Sequence, residues 1–543
     1  MRCAVSLVAA LALASTALAQ EPKASAFPRR MLFVHVADYL YLNPLTHAAP
    51  GGPDRVREAA GRLAFGFRVP NSKDNDQLFV LADTPATDAR LPTKAVLAKA
   101  LDGFCETTRG QDRVVLYFGV HVVEKGGKAF VVPIEGDPAA ADTLLAVADV
   151  YAKLKDLKAA QKVVIWDVCR QNPDRVRGRR EPGPMTLDLF KALAVAPPGV
   201  EVLLSCSPGE HSLEYFVPRG TAGVFAGSAY LDALRQAAFD NRATTKAAPG
   251  DVIPVDVFHK SAVQAVAAVA YRQSPLRVGS APKLPVEFDP TEAPAKRFEL
   301  PALPAPQADA KAILDEVGLP AIMDGDRAPL ARLSYSEAAL KGYVPDVSVE
   351  DALRDLERYP LRGATLRAVQ TVRNAWRLDT KDQKAVSTLN SPINDRAKRA
   401  VSTAQDSVAI MIAELETELA RLEAVADKRA KETKRWQAHY DFVVAELRLR
   451  LVILNEYNRA LGHVKTETLP DLPVGSTGWR LVPTTKIEGR KDVAGMFAAA
   501  SDGFTKIAAA RAGTPWEVLA KRSLTVLPGV RWEPMVAPKV AGK

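Results

Sequence analysis

Between Met31 and Gly279 the chain alternates short, β-branched apolar runs with helical patterns. That alternation predicts a largely parallel α/β sheet, because each apolar strand is covered on both faces by helices that carry the chain back to start the next one. Five runs read as strands: Met31–Asp38, Gln77–Asp83, Arg113–His121, Lys162–Cys169 and Val200–Ser207. Thr93–Thr108 reads as a helix with Leu97, Leu101 and Phe104 on one face, and Gly223–Phe239 as another carrying Phe225, Ala229 and Leu234. Val122–Pro133, with Gly126 and Gly127 at its middle, reads as a hairpin.

The pattern covers under half of a chain of 543 residues, a length that suggests about three to five units. Residues 282–306 hold seven prolines and little periodicity, so 280–310 is expected to be a stiff linker after an α/β domain at 31–279. Beyond it, 311–390 reads as helical. Ser391-Pro392 is expected to open a helix, with Gly462 as its stop. Across 391–462, Val408, Ile412, Leu415, Leu419, Leu422 and Ala426, then Trp436, Tyr440, Val443 and Leu447, then Leu454, Tyr457 and Leu461 keep a four-three spacing. Arg429, Thr433 and Arg450 interrupt this stripe, so the segment is one long coiled-coil-like helix or a hairpin, and 408–461 is an association element within the chain or between chains. The tail, 463–543, carries Trp479, Trp516 and Trp532 and is expected to form a small module.

The first twenty residues combine Arg2, an apolar stretch and the small-residue site Ala17-Leu18-Ala19, the pattern of a cleaved export signal over 1–19. Export implies a periplasmic or secreted protein with no stable membrane span after cleavage, and leaves Cys105, Cys169 and Cys206. The net charge of +9 is spread thinly, with no zinc-ligand spacing, basic arm or aromatic-basic signature, so nucleic acid is not an expected partner.

His121 and Cys169 each stand where an apolar strand ends, the place where open parallel sheets put reactive groups. A cysteine nucleophile needs a base or cation to favour the thiolate and donors for the oxyanion formed on the attacked carbonyl. The run Tyr117-Phe-Gly-Val-His121 and the run Trp166-Asp-Val-Cys-Arg-Gln-Asn-Pro173 resemble the histidine and cysteine motifs of caspase-like and metacaspase-like cysteine peptidases of bacterial type. The resemblance extends from Met31 to about Arg235. It implies a caspase-type three-layer α/β/α sandwich with a mostly parallel sheet, followed here by a mainly α-helical region.

The same resemblance implies the roles of the site residues. His121 activates or protonates, Cys169 forms the acyl-enzyme, and the backbone amides of Val122 and Cys169 bind the oxyanion. No cofactor or metal is implied, and the partner is a protein or peptide substrate. Asp167, two residues before Cys169, is expected on the same side of the sheet. In metacaspase-like relatives an aspartate there favours Arg or Lys before the scissile bond. Glu214 resembles the acid that ends a metacaspase loop, and His211 in that loop is a second candidate base. Val120 and Val122 stand where the family places glycines around its histidine, which keeps open an alternative: a catalytically inactive caspase-fold scaffold or sensor. Cys206, ending the strand beside that of Cys169, makes a redox-controlling disulfide with Cys169 a further expectation.

Overall fold

The computed structural model describes residues 28–45, 55–71, 75–83, 91–173, 175, 178–180, 182–219, 223–244, 255–270, 272–279, 291, 296, 298–301, 333, 335–375 and 386–536. The leader expected at 1–19 and most of the linker expected at 280–310 lie outside them.

Five parallel strands form the centre of the α/β part: β1 (Arg29–His35), β2 (Leu78–Ala82), β3 (Arg113–Gly119), β7 (Gln161–Asp167) and β9 (Val200–Leu204). They stand in the order β9-β7-β3-β1-β2, and β12 (Leu276–Gly279) adds an antiparallel edge beside β9. Side chains alternate between the two faces, as a pleated strand requires. Leu32, Val34, Leu116, Phe118, Val164 and Trp166 enter one core with the helices Lys94–Glu106, Val147–Asp156 and Leu187–Ala194. Met31, Phe33, Val115, Tyr117, Val163 and Ile165 enter the other with Arg55–Gly66, Ala229–Thr244 and Val255–Val269. The result is a mixed α/β fold with a mostly parallel sheet between two helical layers.

The expected hairpin is present as β4 (Val122–Lys125) and β5 (Lys128–Val131), which turn at Gly126 and Gly127 with positive φ. One expected helix begins too early. Gly223–Ser228 is a strand, β11, paired antiparallel with β10 (Ser212–Arg219), and the helix starts only at Ala229. Pairing with β10 satisfies the backbone groups that a helix would have bonded internally, and Gly227 at φ 146 takes a conformation foreign to a helix.

Of the linker region, Phe298 stacks on Phe79 at 4.4 Å between ring centroids, and the Lys296 carbonyl accepts a bond from Arg30, so these residues pack on the α/β part. In the C-terminal half, 391–462 is a hairpin of two long helices, Asp395–Ala424 and Lys434–Lys465, which turn through the residues around Arg429 and Thr433. The first helix opens at Asn394, whose side chain accepts from Ala397 N, and not at Ser391-Pro392; the second runs through Gly462. Val408, Leu415, Leu422, Trp436, Val443, Leu447, Leu454 and Leu461 are buried against one another, so the heptad stripe packs within the chain. Leu481, Phe504, Trp516 and Trp532 join this same core, so the tail packs with the hairpin as one unit. Leu40 and Tyr41, from the loop after β1, are part of it too. Among the described residues no helix is long and apolar enough to cross a membrane.

Candidate functional site

The sheet brings His121 and Cys169 to one edge through its register. β3 and β7 pair in parallel, with Gly119 opposite Asp167 as the last pair. His121 and Cys169 each follow two residues later, at the carboxyl ends of adjacent strands. The strand order reverses between β1 and β3, so this is also the point where the loop after β1 folds over the edge. Gly119 is required there: a Cβ would lie 2.9 Å from the His35 ring and about as close to Tyr117.

His121 is 1% exposed and held on three sides. Its backbone N–H donates to the Tyr39 hydroxyl at 2.6 Å, and the Tyr39 ring packs against the imidazole at 4.6 Å. Its Nε2 lies 2.9 Å from the backbone carbonyl oxygen of Asn43. A carbonyl only accepts, so Nε2 carries the proton and Nδ1 is the bare, basic nitrogen. That Nδ1 is buried and has no hydrogen-bond partner among the described residues. Burial pushes the imidazole pKa down to about 4, against the carbonyl of Asn43 and the charge of Glu214, which pull it up. His121 is therefore neutral at physiological pH, the state a general base requires.

Cys169 is fully buried and has φ 54, a left-handed conformation uncommon for a residue with a side chain. Its neighbours hold it there. Ser212 N–H donates to the Cys169 carbonyl at 3.0 Å, Arg170 and Gln171 pair with β10, and Ser205 Oγ lies 3.1 Å from both Val168 N and Val168 O. Such a conformation costs of order 1–3 kcal/mol and persists where the surroundings over-determine it. The turn also moves Cys169 out of step with its strand. Asp167 bonds on the Tyr117 face, whereas Cys169 joins the core of the opposite face with Trp166 and Cys206. The expectation that Asp167 and Cys169 share one side of the sheet fails because the period of two ends at Asp167.

Asp167 is itself fully buried, with Oδ2 accepting from Tyr117 OH at 2.7 Å and Oδ1 from Ser212 Oγ at 3.0 Å. Glu214 accepts from Arg170 Nη2 at 2.9 Å in an ion pair 1% and 2% exposed, and Arg170 Nη1 lies 3.2 Å from His35 Nε2. Both carboxylates thus face internal partners. The ring of His211 hydrogen-bonds the backbone of Cys169, and burial lowers its pKa. The Cys206 thiol hydrogen-bonds that of Cys169, and this bond together with burial raises its pKa well above the ordinary range; both thiols are reduced. Cys105 lies on the flank of the same core, its thiol pushed up to about 11 by burial.

Val122 offers the amide assigned to the oxyanion. Val132 N–H bonds the His121 carbonyl at 2.9 Å, which makes Val122 and Val131 the following, non-hydrogen-bonded pair. The Val122 N–H therefore points away from β5 while its side chain stays in the core. Among the described residues no group of three or more His, Cys, Asp or Glu side chains is placed to hold a metal ion.

Asn43, Tyr39, Ser205, Ser212 and Arg170 complete the site. A backbone carbonyl leaves no mark in a sequence, so Asn43 carries no signal there; Arg170 stands in the cysteine motif, Ser212 in the loop that ends at Glu214, and Tyr39 in the stretch of resemblance. No family model matches the chain, and no curated protein matches it.

Proposed function

We propose that the α/β part is a caspase-type domain and that the protein is an exported cysteine endopeptidase. In this reading His121 Nδ1 takes the Cys169 thiol proton, the thiolate attacks a peptide carbonyl, and the amides of Val122 and Cys169 bind the oxyanion. The imidazolium then gives its proton to the leaving amine, and water, deprotonated by the same nitrogen, releases the acyl group. The observation that carries the reading is His121 itself: Nε2 bound to the Asn43 carbonyl and Nδ1 bare, at the strand end beside that of Cys169. Both oxygens of Asp167 have internal partners, so Asp167 confers no preference for Arg or Lys in this reading. Turnover of a panel of reporter peptides ending in arginine, aspartate and neutral residues tests the reading, with Cys169→Ala as the control.

One observation favours a second reading, in which the fold is a non-catalytic scaffold. Cys169 and His121 are both closed off from solvent. Absence of Cys169-dependent turnover on every peptide of the panel, in both the intact chain and a variant whose Cys169 is open to reagents, supports the scaffold.

A further inference from the structure

Residues 522–527 touch the loop that walls His121, 39–44, and a second loop, 178–180, packed against it. Arg522, on the helix Pro515–Leu524, donates from Nη1 to the Tyr39 carbonyl at 3.1 Å and lies 3.5 Å from that of Leu40. Just beyond that helix, Val526 forms an antiparallel bridge with Arg179. Arg180 N–H donates to the Thr525 carbonyl at 3.0 Å, and Leu527 N–H to that of Gly178 at 2.9 Å.

The two contacted loops are joined at Asn43. Its Nδ2 donates to the Arg179 carbonyl at 2.7 Å and its Oδ1 accepts from Arg179 N at 2.6 Å, while its own carbonyl holds His121. The packing needs glycine at 178, where a Cβ would lie 2.7 Å from Asn43 Oδ1. Arg175 closes the same corner by donating to the Pro44 carbonyl at 2.7 Å. The helix that carries Arg522 is anchored elsewhere: Trp516 and Leu519 lie in the C-terminal core, and Ser523 Oγ bonds Glu446 on the long hairpin.

We infer that residues 522–527 are an intramolecular latch, which holds the loops 39–44 and 178–180 closed over the dyad and must release them before Cys169 can react. The inference deepens the peptidase reading of this site. Its physical basis is the coincidence of two facts. Cys169 is fully buried, and the loop that holds the neighbouring histidine is pinned at Tyr39 by Arg522, 483 residues away in sequence. A closed site reacts through its open population, so bonds that exist only in the closed form lower the rate.

The test is alkylation of Cys169 by iodoacetamide in the folded, full-length protein, followed by mass-spectrometric mapping of each cysteine. Leu527→Pro removes the N–H that bonds Gly178 while keeping the extended backbone. Arg522→Gln removes the guanidinium from Tyr39 and Leu40. The latch predicts at least a fivefold faster modification of Cys169 in both variants, with hydrogen exchange of the β3 amides unchanged. A variant that loses β3 protection is replaced by Arg522→Lys, which keeps the charge and loses the fork. Cys169 reactivity less than fivefold above the parent, or below it, overturns the latch; a fall assigns these contacts to the support of His121 instead. Alkylation needs no substrate, so a latched but inert protein is told apart from a peptidase by its turnover.

Discussion

Asn43 fixes the tautomer of His121: its carbonyl oxygen lies 2.9 Å from Nε2, which leaves Nδ1 as the basic nitrogen of a buried ring. Burial holds the pKa near 4, and from this follows a pH dependence. The folded value is lowered from the ordinary 6.5, so the ring's contribution to stability is full above about 6.5 and is lost as pH falls through about 4. As the base of the proposed peptidase, His121 stays neutral down to about pH 4. The acid limb of kcat/KM is expected near pH 4, and a limb near 6.5 would show that another environment surrounds the ring in the active form.

Asp167 acts as a structural carboxylate between Tyr117 and Ser212. Tyr117→Phe removes one donor from it and should cost about 1–3 kcal/mol in denaturant unfolding. Asp167→Ala leaves both donors buried without an acceptor and should cost more than Tyr117→Phe. Turnover after arginine and after neutral residues should fall by the same factor in Asp167→Ala. A selective loss after arginine would restore Asp167 as the floor of a substrate pocket.

Cys169 and Cys206 share a hydrogen bond and a closed space, so an oxidant should join them. With glutathione disulfide the two thiols give up two electrons and two protons, forming one protein disulfide and two molecules of glutathione. Peptide mapping should recover a Cys169–Cys206 link, and a thiol reductant should reverse it. In Cys206→Ser the link is absent and any inactivation by the oxidant should proceed through a mixed disulfide instead. Free Cys169 in fully oxidised protein contradicts the pairing.

Most of the heptad residues are buried within the chain, with Ile412 and Leu419 partly buried against the same core and Ala426 exposed at the turn, so association is not needed to cover the stripe. Light scattering of the full chain should give a monomer mass that does not change with concentration. Leu415→Ala, at a fully buried position of the hairpin, should cost about 2–5 kcal/mol. A mass that rises with concentration in the parent and falls to the monomer in Leu415→Ala would place the stripe between chains.

The central strands were legible because burial on both faces writes a continuous apolar run, and the ends of two such runs marked His121 and Cys169. β10 and β11 are not: Ser228, whose Oγ accepts from Leu231 N, is a legible helix cap, but the short apolar run Gly223-Val-Phe-Ala before it becomes a strand only through its pairing with residues 212–219. A strand period of two puts Asp167 and Cys169 on one side of the sheet, but the backbone turns at Cys169 and the period ends before it. The interruptions at Arg429 and Thr433 foretold the hairpin as one of two forms. The contact of Arg522 with Tyr39 was beyond reach: it joins a side chain to a carbonyl, and neither partner belongs to a periodic pattern.

The most direct measurement is the turnover of the peptide panel by the intact chain and by Leu527→Pro, each beside its Cys169→Ala counterpart. The peptidase reading predicts hydrolysis of at least one peptide that disappears with Cys169→Ala and is faster in Leu527→Pro. Hydrolysis that survives Cys169→Ala, or none in Leu527→Pro although iodoacetamide reaches Cys169 there, contradicts it.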